Sequence, residues 1–291
     1  MNSFSSQAIY FGAGYIVLIL LLILLEQYFP LRKKNRSLLP RLFINVSLSV
    51  ISFIVVSFVI FPAQQNTIAF TTEQSFGLLH FFKLPIVVEG IIGFLLMDLA
   101  FYYWHLLNHK VPFLWRFHNV HHLDPDLDVS TAFRFHFVEI GLSTIFRVIQ
   151  LSVIGISPIA FMIYELCFTA NTIFQHTNIK LPIKFERILN KIIVTPRMHG
   201  IHHSQYQDET NSNYSTVFSW WDRLHKTIRL NIPQNKIVIG VPGYFTPNDN
   251  LFVNVFLHPF KKQREYWKVF NGFLIQRNDK TSFKERLKLE E

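Results

Sequence analysis

Imidazole is the side chain that binds first-row metals most readily at neutral pH, and this chain arranges its histidines in a repeated pattern. FHNVHH (117–122) and MHGIHH (198–203) share one arrangement, a histidine three residues ahead of a histidine pair. Positions i, i+3 and i+4 meet on one side of a helical turn. His118, His121 and His122 therefore form one triplet, and His199, His202 and His203 another. Each triplet can give two ligands to one metal ion and a third to a neighbouring ion. A further stripe lies in MDLAFYYWHLLNH, where Asp98, Tyr102, His105 and His109 fall at i, i+4, i+7 and i+11. His105 and His109 are one turn apart and can reach the same ion.

Neutral imidazole suits iron, zinc, copper or nickel, and the near absence of carboxylates argues against magnesium or calcium. These histidines exceed the four ligands that a structural zinc takes, so two ions is the natural count. His136 in TAFRFHFVE and His176 in FQHTN lie where the chain enters and leaves apolar runs. Their shared depth with the clusters makes them candidate ligands as well. His80, His225 and His258 lack such company and are expected to be structural or solvated. Asp98 reads as an acceptor behind a ligand or as a polar contact between helices. Cys167, the single cysteine, can form neither an intrachain disulfide nor a cysteine-based metal site.

Apolar elements must position these residues. Half of the 291 residues are hydrophobic, 31 of them Phe, and only 16% are charged, against about 25% in an ordinary soluble domain. Residues 9–25 carry no charge, and the apolar character runs on to Phe29, about the length that spans a bilayer core. Further apolar runs cover 42–61, 86–107, 138–154 and 159–175, the last two parted by the turn signal GISP. The basic cluster LRKKNRSLLPR (31–41) follows the first run. By the positive-inside rule it is cytoplasmic, which excludes a cleavable signal peptide and places the N-terminus outside. Counting crossings from there brings every histidine cluster to the cytoplasmic face. The expected fold is an all-α integral membrane bundle of about four or five membrane helices with a cytosolic histidine-rich helical cap. It divides into an N-terminal transmembrane hairpin and connecting segment (1–84), a catalytic domain (85–230) and a C-terminal peripheral tail (231–291). The net charge of +9 fits positive-inside loops and a basic tail (Lys261, Lys262, Arg264, Lys268). No basic patch interleaved with aromatics points to nucleic acid.

DLAFYYWHLLNH (98–109), LWRFHNVHHLDPDLDVSTAFRFHFVE (114–139), FQHTN (174–178), TPRMHGIHH (195–203) and NYSTVFSWWDRLHKT (213–227) together resemble, in order and spacing, the fatty acid hydroxylase superfamily. These are membrane di-iron enzymes, and the likeness is greatest to the bacterial sterol desaturase-like members. The resemblance implies two iron ions held at the cytosolic ends of a helical bundle by His105, His109, His118, His121, His122, His199, His202 and His203. It adds His136 and His176, and it places Asn178, Tyr214 and Asp222 at polar positions that support the ligands or the scaffold. Phe137, Leu106 and Ser215 depart from the family's usual Pro, Arg and Gly.

Breaking an unactivated C–H bond needs a stronger oxidant than any side chain, and iron with O2 supplies one. Phe101, Tyr103, Trp104, Trp115, Phe117 and Phe133 can keep such a site dry and line a slot for an apolar chain. No flavin or nicotinamide fingerprint is present, so electrons are expected from an external donor, a reductase or small electron-carrier protein. The expected reaction is O2-dependent hydroxylation or desaturation of a lipid (sterol, fatty acyl or ether lipid) in a bacterial inner membrane or endoplasmic reticulum. Three other readings are weighed. A histidine-rich metal-binding or transport protein would need ligands near the bilayer midplane. A zinc hydrolase would need a general base such as the Glu of H-E-x-x-H. A lapsed enzyme that only binds lipid would not need so full a histidine set.

Overall fold

In lipid every backbone N–H must be paired within its own segment, so uncharged runs fold as helices. The computed structural model describes residues 2–269, 272–277 and 281–290, with side chains from residue 13 onward. Its main helices are α1 (Asn2–Tyr28), α2 (Leu38–Val55), α3 (Phe61–Glu73), α4 (Ile86–Lys110), α5 (Pro112–His122), α6 (Phe137–Ile154) and α7 (Pro158–His176). Shorter ones follow: α8 (Ile183–Leu189), α9 (Pro196–His202), α10 (Gln207–Thr210), α11 (Trp220–Leu224) and α12 (Phe252–Leu257). Among the described residues there are isolated β-bridges, such as Pro30 with Ile179, and no strand.

Among the described residues, three helical stretches are long and apolar enough to cross a membrane: Leu38–Phe81, Ile86–Lys110 and Phe137–Ile154. Their outward faces are apolar, with Phe53, Ile145 and Val153 each at least 60% exposed. A belt of that kind is stable only against lipid, so the chain is a membrane protein. The run expected to end at Phe61 continues instead, through a π-helical segment (Val56–Ile60), into α3. Pro62 falls in the first turn of α3, where its missing N–H is tolerated.

Prolines punctuate the rest. Pro112 forces Val111 into extended geometry (φ −94°, ψ 114°) and ends α4. It then occupies the first turn of α5, so α5 turns back and packs on α4. Gly155 ends α6 in the left-handed region (φ 66°), and its contact with the Gly77 backbone leaves no room for a Cβ at either position. The 231–291 segment is more than a loose tail. Its Val255 shares a core with Ile44, Leu48 and Val120, and its Leu289 packs with Val194, Met198 and Ile228.

A buried ion network bolts α2 to the loop that follows the first histidine triplet. Arg41 donates from Nε to Asp124 (2.6 Å) and from Nη1 to Asp128 (2.8 Å). Asn45 and Thr131 also donate to Asp124, at 3.1 and 2.9 Å. Burial alone would raise the Asp124 pKa, but Arg41 and Arg134 hold it at about 2. Removing one partner strands a buried charge. Arg41→Met is therefore expected to cost about 3 kcal/mol or more, read as a lowered thermal midpoint in detergent. Substitution of the exposed Lys33 should leave that midpoint unchanged.

Candidate metal centre

The α4 stripe, the ends of α5 and α7, and the short helix α9 meet in one buried region. They assemble two groups of imidazoles, His105, His109, His118, His122 and His202 in one, and His121, His176, His199 and His203 in the other. Within each group the candidate ligand atoms lie within 4.8 Å of one another. Both triplets divide in the same way. The i and i+4 histidines (118 and 122; 199 and 203) stay together, while the i+3 histidine (121; 202) crosses to the other group. The groups abut, because the rings of His122 and His203 stack with centroids 4.3 Å apart.

The protein aims these rings through their far nitrogens. His105 Nδ1 donates to the Tyr214 carbonyl (2.8 Å) and His202 Nδ1 to the Ser212 carbonyl (2.7 Å). His176 Nδ1 donates to the Thr172 carbonyl (2.6 Å) and His118 Nδ1 to Glu139 Oε1 (2.7 Å). A proton held on Nδ1 leaves Nε2 as a bare lone pair, the form a metal needs. Burial and neighbouring imidazoles push His121, His122, His199 and His203 well below the ordinary imidazole pKa. Burial likewise takes His202 down to about 3. These rings are neutral at pH 7.

The donor set fits metal. In the first group the Nε2 atoms of His109, His118, His122 and His202 are buried without a hydrogen-bond partner, each a cost of about 1–3 kcal/mol if nothing electrophilic meets it. In the second, His176 Nε2 lies 3.0 Å from the Nε2 atoms of both His121 and His199, and His199 Nε2 lies 3.1 Å from that of His203. Two ligands at right angles on one ion, with bonds of about 2.1 Å, stand about 3.0 Å apart.

The supporting residues divide by role. Asp222 accepts the Tyr214 and Ser215 N–H groups (2.8 and 2.9 Å) and the Thr227 hydroxyl, so it fixes the strip whose carbonyl orients His105. Asp98 touches no histidine. It accepts the N–H groups of Val217 and Phe218 and the Trp221 indole N–H, and so clamps the same strip to α4. The Tyr214 ring packs against His109 (5.2 Å). Asn178 exchanges two hydrogen bonds with the Arg32 backbone and ties the α1–α2 linker beside His176. Gly200 sits where that linker crosses α9, and a Cβ there would collide with the Arg32 guanidinium.

His136 is corrected. Its Nδ1 accepts the Val138 N–H, capping α6, and its Nε2 meets the Phe256 carbonyl at 3.1 Å. Both nitrogens are taken and it belongs to neither group. Glu139, passed over in the sequence, is the one carboxylate among the described residues that hydrogen-bonds a candidate ligand; its mark there is a lone acid at the head of an apolar run. Trp115 lies over His109 and His122, and Phe135 stacks on His121 at 4.5 Å. Phe101 and Trp104 instead pack on Phe168 and Phe146. His258 is buried against Asn119, His225 bonds Tyr103, and His80 is exposed.

Glu139→Ala frees His118 to rotate. It should weaken metal affinity of the five-histidine group by about 10–100-fold in a competition titration, with Glu139→Gln, which retains an acceptor oxygen, falling between. The lowered imidazole pKa values set a pH dependence. Below about pH 6.5 the unfolded chain takes up protons that the folded, metal-stripped chain refuses. Stability of that form is therefore full above about pH 6.5 and falls as pH drops toward 3, a slope that metal loading should flatten in thermal melts.

Residues 90–227 match the family model for fatty acid hydroxylase. Among curated proteins, the chain is 29% identical over 160 residues to an ornithine lipid hydroxylase (OlsE) of Rhizobium tropici, covering 55% of this chain and 47% of that protein. It is 28% identical over 193 residues to human alkylglycerol monooxygenase (63% and 40%), and 29% over 141 residues to mouse cholesterol 25-hydroxylase (48% and 46%). The matches thus span less than half the length of each relative. No solved structure matches significantly. The stretch that carries both histidine groups is a fatty acid hydroxylase domain.

Proposed function

We propose that this chain is a multi-pass membrane oxygenase that holds two iron ions and uses O2 and electrons from an external donor to hydroxylate or desaturate a lipid. The observation that carries the reading is the pair of adjoining groups of five and four imidazoles, eight buried and His109 half-buried, too many for one ion and nearly free of carboxylate. The relatives named for hydroxylation or monooxygenation of an ornithine lipid, an alkylglycerol and cholesterol support a lipid substrate.

Bound iron would supply the oxidising power for C–H cleavage. The chain's own residues do the rest. His105, His109, His118, His122 and His202 would hold one ion, and His121, His176, His199 and His203 the other. Because every donor is neutral, each site keeps its full positive charge. Glu139 and the Tyr214, Ser212 and Thr172 carbonyls keep four rings from turning, while Trp115 and Phe135 restrict water. Residues 85–230 form the catalytic unit. Arg32 bonds Asn178, two residues from His176, so the basic linker shares a face with the histidines, and the positive-inside rule makes that face cytoplasmic. A reductase or small electron carrier would dock there.

The test is product formation. Purified chain with Fe(II), a chemical reductant, 18O2 and a total lipid extract should yield a lipid heavier by one 18O atom, or one lighter by two hydrogens. His122→Ala should yield neither. A metal-loaded chain that leaves every lipid unchanged under O2 would favour metal binding or transport instead.

A further inference from the structure

An apolar cleft of about 660 Å³ opens between the first half of α4 and the start of α7, roofed by Phe218 and Trp220. Its size is that of a ligand site, which runs from about 300 to 1,000 Å³. Its floor is open because the helices meet there through Gly90 and Ala160, where a Cβ on Gly90 would come to 3.6 Å from that of Ala160. Ile91 and Ile163, on opposite walls, are 56% and 47% exposed, and Ser157 brings the single side-chain hydroxyl of the lining. The cleft follows α4 from Ile86 to Leu95, roughly 14 Å at the helical rise. One wall, α4, is of membrane-crossing length and apolarity, and the other presents exposed Ile159 and Ile163, so the medium that suits it is hydrocarbon chain.

The roof end has the opposite character. Phe218 and Trp220 stack at 4.3 Å, and the Trp220 indole donates to the Lys191 carbonyl (2.9 Å), the posture of an aromatic at a membrane boundary. At that end Lys191 is exposed. Arg223 Nε is buried with no partner, while its Nη2 holds Asn190. The acids of the same segments are spoken for: Glu186 is buried against Arg197, and Asp222 is buried under Tyr214 and Ser215. Net exposed charge at the rim is positive.

We infer that this cleft is a binding site for one anionic glycerophospholipid, with an acyl chain between α4 and α7 and the phosphate at Lys191 and Arg223. Ten residues of α4, about 15 Å, separate Leu95 from His105, so the site is distinct from the metal centre and does not depend on the oxygenase reading.

The test uses the full chain, purified in detergent and washed to constant phospholipid content. It is then titrated with phosphatidylglycerol or phosphatidylcholine of identical acyl chains, and bound lipid is counted by mass spectrometry of the extract. About one phosphatidylglycerol per chain should be retained, at an affinity about tenfold above phosphatidylcholine. Ile91→Trp and Ile163→Trp, two exposed positions that fill the cleft from opposite walls, should each cut retention of both lipids about tenfold with the melting midpoint unchanged. Lys191→Glu should remove only the preference for phosphatidylglycerol. Undiminished retention in both Trp variants, or no retained lipid in the parent chain, would overturn the site. Equal retention of the two lipids in the parent chain, unaltered by Lys191→Glu, would overturn the anionic headgroup.

Discussion

Nine imidazoles, the five and four of the two groups, face one another in a buried volume with almost no proton to share. Buried polar atoms in proteins are nearly always paired, and here four Nε2 atoms of one group have no partner while those of the other crowd to 3.0–3.1 Å. A cationic metal resolves both features at once, because it accepts lone pairs that cannot satisfy each other. The rest of the architecture follows from holding this unfavourable arrangement in place until metal arrives.

That holding is done by backbone more than by side chains. Three of the four oriented rings lean on carbonyls, and the strip from Ser212 to Trp221 that supplies two of them is itself pinned by buried Asp98 and Asp222. Arg41 with Asp124, Gly200 under Arg32, and Asn178 on the Arg32 backbone attach α1 and α2 to the same centre. The basic linker read as a membrane-topology signal thus has a second task, since Arg32 and Arg41 are structural locks as well as positive charges. The cleft between α4 and α7 lies at the other end of the same helices, where the constraint is fit to lipid and not to metal.

Much of this was legible in the sequence because helical periodicity and metal geometry impose rigid spacings. The triplets' two-plus-one division and the pairing of His105 with His109 required only the pitch of a helix. His136 misled because depth alone does not reveal which distant carbonyl fills a ring nitrogen, and Phe256 lies 120 residues away. Glu139 carried only a weak mark, one acid at the start of an apolar run. The extension of α2 through Pro62 depended on a π segment that has no compositional signature. The 231–291 segment looked peripheral because its core contributors, among them Val241, Tyr244, Val255 and Leu289, are diluted among polar residues.

The central claim is that two ions share this cage, one per group. Metal content per chain, measured by elemental mass spectrometry on detergent-purified protein with His202→Ala and His121→Ala alongside, tests it most directly. The account predicts about two irons in the parent chain after Fe(II) reconstitution, the five-plus-four set of imidazoles being beyond one ion's capacity. Each variant, having lost a ligand from a different group, should bind fewer. One ion or none, unaltered by either substitution, would contradict it.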